Sequence, residues 1–449
     1  MKMKKFLALA LAATMTVGSL AGCGDGGNSG GDNGGNNGGN SSGGVEEITF
    51  MVWDDLDASS DLISQGYKKS IDRFNKTYEG KYHCKVVSTN LEEYYTKLNA
   101  EVAANNTPDV FIVSPGPNLD DYVLPGTAAK LDDYLNADGW KGTFTSDAVF
   151  AGGTYGSEAK DGAGIYAVPL NIAAACVFYN TEMFEDAGAK VPTTYSELLT
   201  ACQKLKDKGY TPITISAGTA WCLSMVAGYL CDRNGLNLDD VYNKKTDWYD
   251  AKVIKAGEQI QELSQYFQPT AAADDNDVAT AAFYDGEAAI LIQGSWAIGQ
   301  INGSCEPGFE KKVGVFAFPA VDGSSADPNR VIAKSDSLAM SATSQHKDAA
   351  IALIKCFVDD EAQKYTAEVG GKIPVTKVQY DESVAPPELA YVMDVFKNAN
   401  ATFGFYNESL ADTEAGSTFD SCFVEIFKGT DPKTALKPIQ DYYEANVWK

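Results

Sequence analysis

The stretch 162–199, GAGIYAVPLNIAAACVFYNTEMFEDAGAKVPTTYSELL, limits what this chain can become more than any other. Ile165, Ala167 and Val168 make a short apolar run, and Pro169 keeps it from pairing as an ordinary central strand. Ala173 to Tyr179 is apolar throughout. It is too short to span a membrane and has the make-up of a strand buried on both faces. Asn180 offers an N-cap to a short helix carrying Met183 and Phe184, and Gly188 suits its end. Beyond Pro192, Thr194 and Glu197 form a capping box, and Leu198, Leu199, Cys202 and Leu205 give the next helix one apolar face. That helix stops at Gly209, and Pro212 to Ser216 reads as a further strand. Periodicity alone makes this a βα unit of any α/β protein.

The ordered set of residues is more specific than the periodicity. Tyr166, Val168 and Pro169, then Tyr179, Asn180 and Phe184, then Gly188, then Pro192, Thr194, Glu197 and Leu198 resemble a signature Y-x-V-P, Y-N-x-x-x-F, G, P-x-T-x-x-E-L. That signature belongs to the bacterial extracellular solute-binding proteins, family 1, the carbohydrate-binding partners of ABC transporters. A second segment, Phe283 to Trp296, resembles the family's F-x-x-G-x-A-A-x-x-x-x-G-x-W. The likeness runs from about Ile48 to the C-terminus. It implies an α/β fold with two lobes of the periplasmic-binding-protein type II. Each lobe is then a mostly parallel sheet flanked by helices, and a three-segment hinge joins them. The implied division places 45–172 and 318–380 in one lobe, and 173–317 and 381–449 in the other. The implied ligand is a sugar or oligosaccharide between the lobes, the implied partner an ABC permease, and the implied state a monomer without catalysis, cofactor or metal.

The first residues carry Lys2, Lys4 and Lys5 ahead of an apolar run from Phe6 to about Val17. This reads as a secretory signal over 1–22, too short for a stable transmembrane helix. Leu20-Ala21-Gly22-Cys23 resembles a lipobox, which implies cleavage before Cys23 and diacylglycerol on its sulfur. Two or more acyl chains, at about 0.8 kcal/mol per buried CH₂, anchor a protein stably. Residues 24–44 are almost only Gly, Asn, Ser and Asp, and are expected to be a disordered tether. Its root-mean-square reach is roughly 25 Å. The chain is thereby expected on the outer face of the cell membrane.

The remaining 45–449 is long for one domain and comfortable for two. A net charge of −25 argues against nucleic acid or anionic lipid as partner, since basic patches drive those contacts. Of nine cysteines, Cys23 is assigned to lipid. The other eight show no C-x-x-C or zinc spacing, and several sit on apolar faces, so buried free thiols are expected rather than a disulfide framework.

In chain order, Ile48–Trp53, Cys84–Ser88 and Asp109–Val113 read as strands. Between them lie helical faces: Ile63, Tyr67, Ile71, Phe74 and Tyr78, then Leu91, Tyr94, Tyr95, Leu98 and Val102. This βαβαβ order predicts a parallel sheet with right-handed crossovers, and ligands on such sheets bind beyond the carboxyl ends of strands. Asp54, Asp55 and the loop at Ser114 therefore point at a cleft. Val313–Phe318, closed by Pro319, reads as the second crossing between lobes, and the Pro386-Pro387 region as the third.

Most enzyme chemistry lacks its residues. Only His83 and His346 exist, and no G-x-S-x-G occurs. Gly162–Ala167 superficially fits a dinucleotide fingerprint but lacks the preceding strand, and Pro169 interrupts the helix that motif needs. Asp274-Asp275-Asn276-Asp277 lacks EF-hand spacing. Binding chemistry remains. Aromatic planes cover the C–H faces of sugars, while carboxylates and amides take their hydroxyls. Candidates for stacking are Trp53, Trp221, Trp296 and Tyr406; candidates for hydroxyls are Asp54, Asp55, Ser114, Asn118, Asn171 and Asp336. The resemblance favours Trp296, with Gly294 supplying backbone freedom to turn it out of its strand. A core position fits Trp53 and Trp221 equally well and fits Tyr406 better, and Asp54 and Asp55 could instead cap the first helix. The alternatives are the same fold binding a peptide, polyamine, metal or other small solute, or a surface glycoside hydrolase using two carboxylates.

Overall fold

The computed structural model describes residues 44–449 as one unit. The signal segment, Cys23 and the Gly-rich tether expected before it lie outside the described residues. Apolar strands sort into two sheets, each with its own core. β1 (Glu46–Val52), β2 (Tyr82–Ser88) and β3 (Val110–Val113) pair in parallel, β1 in the middle. The short β4 (Thr154–Tyr155) and β5 (Gly164–Ile165) form a separate hairpin. β6 (Ala167–Pro169) returns to the first sheet, and β7 (Ala173–Asn180) opens the second. β8 (Thr211–Thr214), β9 (Ala288–Gly294), β10 (Val313–Phe316) and β11 (Arg330–Lys334) extend that sheet. β12 (Ser337–Met340) goes back to the first, and β13 (Ala401–Phe403) joins the second. The orders are β2-β1-β3-β12-β6 and β13-β11-β7-β9-β8, with β10 also on β7.

Local signals explain the flanking helices. The helix Leu62–Thr77 begins at Asp61, whose carboxylate accepts the Ser64 N–H, and buries Ile63, Tyr67, Ile71 and Phe74. Asn180 caps Thr181–Ala187, which ends at Gly188 with φ 58°. Thr194 and Glu197 form the capping box of Tyr195–Asp207. Helices cover both sheets, so Phe50, Phe111 and Leu338 are fully buried in the first lobe and Ile213, Ile290 and Leu223 in the second. Each such side chain contributes about 1.5–3 kcal/mol through its removal from water.

Both sheets are mixed. β12 runs antiparallel to β3 and to β6, and β7 runs antiparallel to β9, β10 and β11. The second crossing lies later than the sequence predicts. Phe318 does not lead back to the first lobe; β11 pairs with Ala173–Ala174 and with β13, and Tyr229 accepts the Ile332 N–H at 3.1 Å. The apolar pair Val331 and Ile332 belongs to the second lobe's cores, so the chain crosses at Ser335–Asp336. The third crossing lies between Thr376, which bridges to Phe144, and the helix Pro387–Lys397, which packs on the second sheet.

The eight cysteines among the described residues are free thiols, six of them buried. No described helix is long and apolar enough to cross a membrane. His83 is exposed, and His346 precedes the helix Lys347–Val358 and contacts Glu46 at 3.2 Å.

Candidate functional site

A cavity of about 1010 Å³ lies between the two lobes. The first lobe supplies the ends of its parallel strands. Trp53, Asp54 and Asp55 follow β1, and Ser114, Pro117 and Asn118 follow β3. The second lobe supplies Trp221 from the first turn of Ala220–Arg233, Trp296 just beyond β9, and Phe405 and Glu408 beyond β13.

The second-lobe wall is aromatic. Trp221 and Trp296 meet edge to face with centroids 5.9 Å apart, and Phe405 lies 5.7 Å from Trp296 and 6.1 Å from Trp221. Gly294 matters for a different reason from backbone freedom. A Cβ at Gly294 would stand 2.2 Å from the Trp296 ring, so the indole lies against its Cα. On the first lobe, Trp53 sits edge-on to the buried Tyr94 at 5.3 Å.

The rest of the lining is polar. The Lys334 ammonium, at the end of β11, reaches Glu408 Oε1 at 3.2 Å, Ser114 Oγ at 3.3 Å and Asp336 Oδ1 at 3.5 Å. Burial alone would weaken its hold on the proton, but Asp336 and Glu408 outweigh that and raise its pKa. Burial raises Glu408, with Lys334 opposing. Asp54 accepts the Ser64 hydroxyl at 2.7 Å, and burial pushes its pKa up to about 6. Asp420 accepts from Ser224 Oγ and from Asn407 Nδ2, and burial pushes it to about 7.

Eight of the ten residues expected from sequence line this cavity: Trp53, Asp54, Asp55, Ser114, Asn118, Trp221, Trp296 and Asp336. Two do not. Tyr406 is buried in the second core against Phe403 and Phe419 and does not line the cavity; its neighbour Phe405, equally buried, does, packed against Trp221 and Trp296. Asn171 is buried and does not line the cavity, whereas Tyr67 does. Helix one is capped by Asp61, not by Asp54 or Asp55. Asp55 instead accepts the N–H groups of Asp57 and Ala58 in a tight turn.

The family model of the bacterial extracellular solute-binding proteins matches residues 69–391. The chain belongs to that family. Among relatives of this solute-binding protein, the multiple sugar-binding protein of Streptococcus mutans is 26% identical over 336 residues, covering 70% of this chain and 73% of the relative. An uncharacterized ABC transporter extracellular-binding protein of Pyrococcus horikoshii is 24% identical over 343 residues, 74% of each chain. Solved structures agree in fold. One, described in connection with xylan utilization by Caldanaerobius polysaccharolyticus, superposes with a TM-score of 0.80 at 26% identity, covering 88% of this chain and 99% of that one. A chitin oligosaccharide binding protein gives 0.81 at 24% identity, over 90% of this chain and 100% of that one. The architecture is the two-lobed α/β fold of maltose-binding type.

In this solute-binding protein the lining residues that sequence reasoning missed include Tyr95, Lys334, Phe405, Asn407, Glu408 and Asp420. One signal was available. Thr413, Gly416, Ser417 and Asp420 repeat at helical spacing on the face of Thr413–Phe427 that lines the cavity. Lys334 and Glu408 carried none, since their relation exists only once β11 and the loop after β13 are in place.

Proposed function

We propose that this extracellular protein is the lipid-anchored receptor of an ABC importer and binds a sugar or oligosaccharide between its lobes. The observation that carries the reading is the wall of three rings, Trp221, Trp296 and Phe405, facing a polar lining across one cavity. The rings cover C–H faces, and Asp54, Asp336, Glu408, Asn118 and Asp420 are placed to take hydroxyls, each bond to a charged group worth about 1.5–3 kcal/mol. Micromolar affinity needs only about −8 kcal/mol. The names of the Streptococcus relative and of the chitin oligosaccharide binder support this ligand class. Binding draws the lobes together by a hinge-type population shift, and the closed form docks as a monomer on the permease.

The protein binds its ligand and releases it unchanged. Calorimetric titration with xylo-, chito- and malto-oligosaccharides, with peptides and polyamines in parallel, tests the ligand class. Chromatography of the same mixtures after prolonged incubation tests for cleavage, and new products would turn the reading toward a glycoside hydrolase. Cys23 carries the anchor in this reading. Cys23→Ala is expected to release the protein from washed membranes; retention there would refute the anchor.

A further inference from the structure

The polar edge of Trp296 is spent inside the protein. Its indole N–H donates to Gln293 Oε1 at 2.7 Å. Gln293 is 2% exposed and does not line the cavity. Its own amide N–H groups donate to Asn276 Oδ1 and, at 3.5 Å, to Cys222 Sγ. The Cys222 thiol donates to the same Asn276 oxygen at 3.4 Å, and Thr219 Oγ1 accepts the Asn276 backbone N–H at 3.1 Å. Below the ring lies the bare Cα of Gly294.

An indole turns about a broad torsional well, so its rotamer alone does not fix the plane of the ring. A floor and a tied edge do. We propose that Gln293 is a positioning residue for binding: it sets the plane in which Trp296 meets the ligand. Asn276 and Cys222, with Thr219 holding Asn276, keep Gln293 in place, and Thr219 and Asn276 themselves line the cavity. Because Gln293 takes the indole N–H, Trp296 offers the ligand an apolar face and no donor. This rests on the reading of Trp296 as a stacking ring.

The test uses the full chain with Gln293→Met, Gln293→Glu, Trp296→Phe and the pair Gln293→Met/Trp296→Phe, titrated with xylotetraose and chitotetraose. Gln293→Met keeps the volume but cannot accept the indole N–H, and is expected to weaken binding about two- to tenfold. Phenylalanine has no N–H. In the Trp296→Phe background the same change is expected to move affinity by less than about twofold. Gln293→Glu keeps an acceptor, and Asn276 can turn its amide to donate to it, so affinity is expected near that of the wild type.

A second readout needs no ligand. Trp221 and Trp296 cross at 66° and 5.9 Å, close enough for their transitions to couple as an exciton pair in circular dichroism. That couplet is expected to change in Gln293→Met, to vanish in Trp296→Phe and to persist in Gln293→Glu. An unchanged couplet and affinity in Gln293→Met overturn the inference. Equal loss of affinity in both backgrounds also overturns it, by marking Gln293 as structural only. If Gln293→Met fails to fold, loss of the couplet in a folded Gln293→Glu overturns it. If neither probe binds the wild type while the couplet still follows Gln293, the carbohydrate reading fails and the positioning role stands.

Discussion

Lys334 closes a strand of the second sheet and Asp336 precedes a strand of the first, yet their charges stand 3.5 Å apart on the wall of one cavity. The chain passes between lobes in the residues that separate them. Glu408 joins from the second lobe at 3.2 Å and Ser114 from the first at 3.3 Å, so a single ammonium gathers groups from both sides of the hinge.

Lys334→Met leaves the buried Asp336 and the half-buried Glu408 without their shared cation. Breaking a buried pair in this way costs about 3–5 kcal/mol. A corresponding fall in the urea midpoint is expected, with Glu408→Gln in the same chain restoring part of it.

Gly294 and Trp296 give a sharper separation of fold from binding. The backbone of Gly294 is not in the left-handed region, so alanine suits the chain there, but its methyl would strike the indole at 2.2 Å. Gly294→Ala and Trp296→Ala are both expected to weaken ligand binding by about 1–3 kcal/mol, on the scale of stacking losses measured for aromatic platforms. Calorimetric titration beside urea unfolding decides the point. A large loss of stability with unchanged affinity would move Trp296 from the site into the core.

The lobes also meet at a seam of small residues. A methyl at Gly303 would come within 2.2 Å of the Ser60 carbonyl oxygen, and one at Gly299 within 2.4 Å of the Asp61 carboxylate; the Ser60 and Ser304 hydroxyls bond at 2.8 Å. Gly303→Ala is expected to hold the helix Ala297–Ser304 away from the first lobe and to weaken ligand binding by about 1–3 kcal/mol, the usual cost of overpacking. Small-angle scattering with ligand present should show a larger radius of gyration than for the wild type.

Asp54 and Asp420 bind protons more tightly folded than unfolded, with pKa values of about 6 and about 7 against an ordinary 3.8. Folding therefore takes up protons between roughly pH 4 and 7, and the stability these groups supply is lost as pH rises through that window. Asp420→Asn should flatten the slope. Ligand affinity is expected to move the opposite way, rising with pH as the two carboxylates ionise and become better acceptors. Urea titrations and calorimetry across pH 5 to 8 would show both trends.

Burial raises the thiol pKa of Cys84 and Cys202 to about 12 and of Cys356 and Cys422 to about 11, but Cys305 and Cys356 are partly exposed and the other six are buried. A thiol reagent at neutral pH is expected to modify only Cys305 and Cys356 quickly in the native protein, and all eight cysteines beyond Cys23 after denaturation. Mass spectrometry of the labelled chain counts them.

What the sequence determined by itself is the local and the ordered: the caps at Asn180 and Thr194, the buried strand from Ala173, the first βαβαβ unit, and the family signature that runs through them. These rest on neighbours in the chain and on single faces of helices and strands, which spacing records directly. Only the tertiary structure decided that Arg330–Lys334 belongs to the second sheet, that Phe405 rather than Tyr406 lines the cavity, and that Asn171 is buried away from it. It also made Gly294 a floor for an indole and set Lys334 between Asp336 and Glu408. Gly294 with Trp296 and Lys334 with Asp336 are two positions apart but meet only through the turn of the chain beyond a strand; the other relations join residues tens to hundreds of positions apart through sheet pairing and the closing of two lobes. A sequence read along its length carries the propensities of such residues but not which of them will meet.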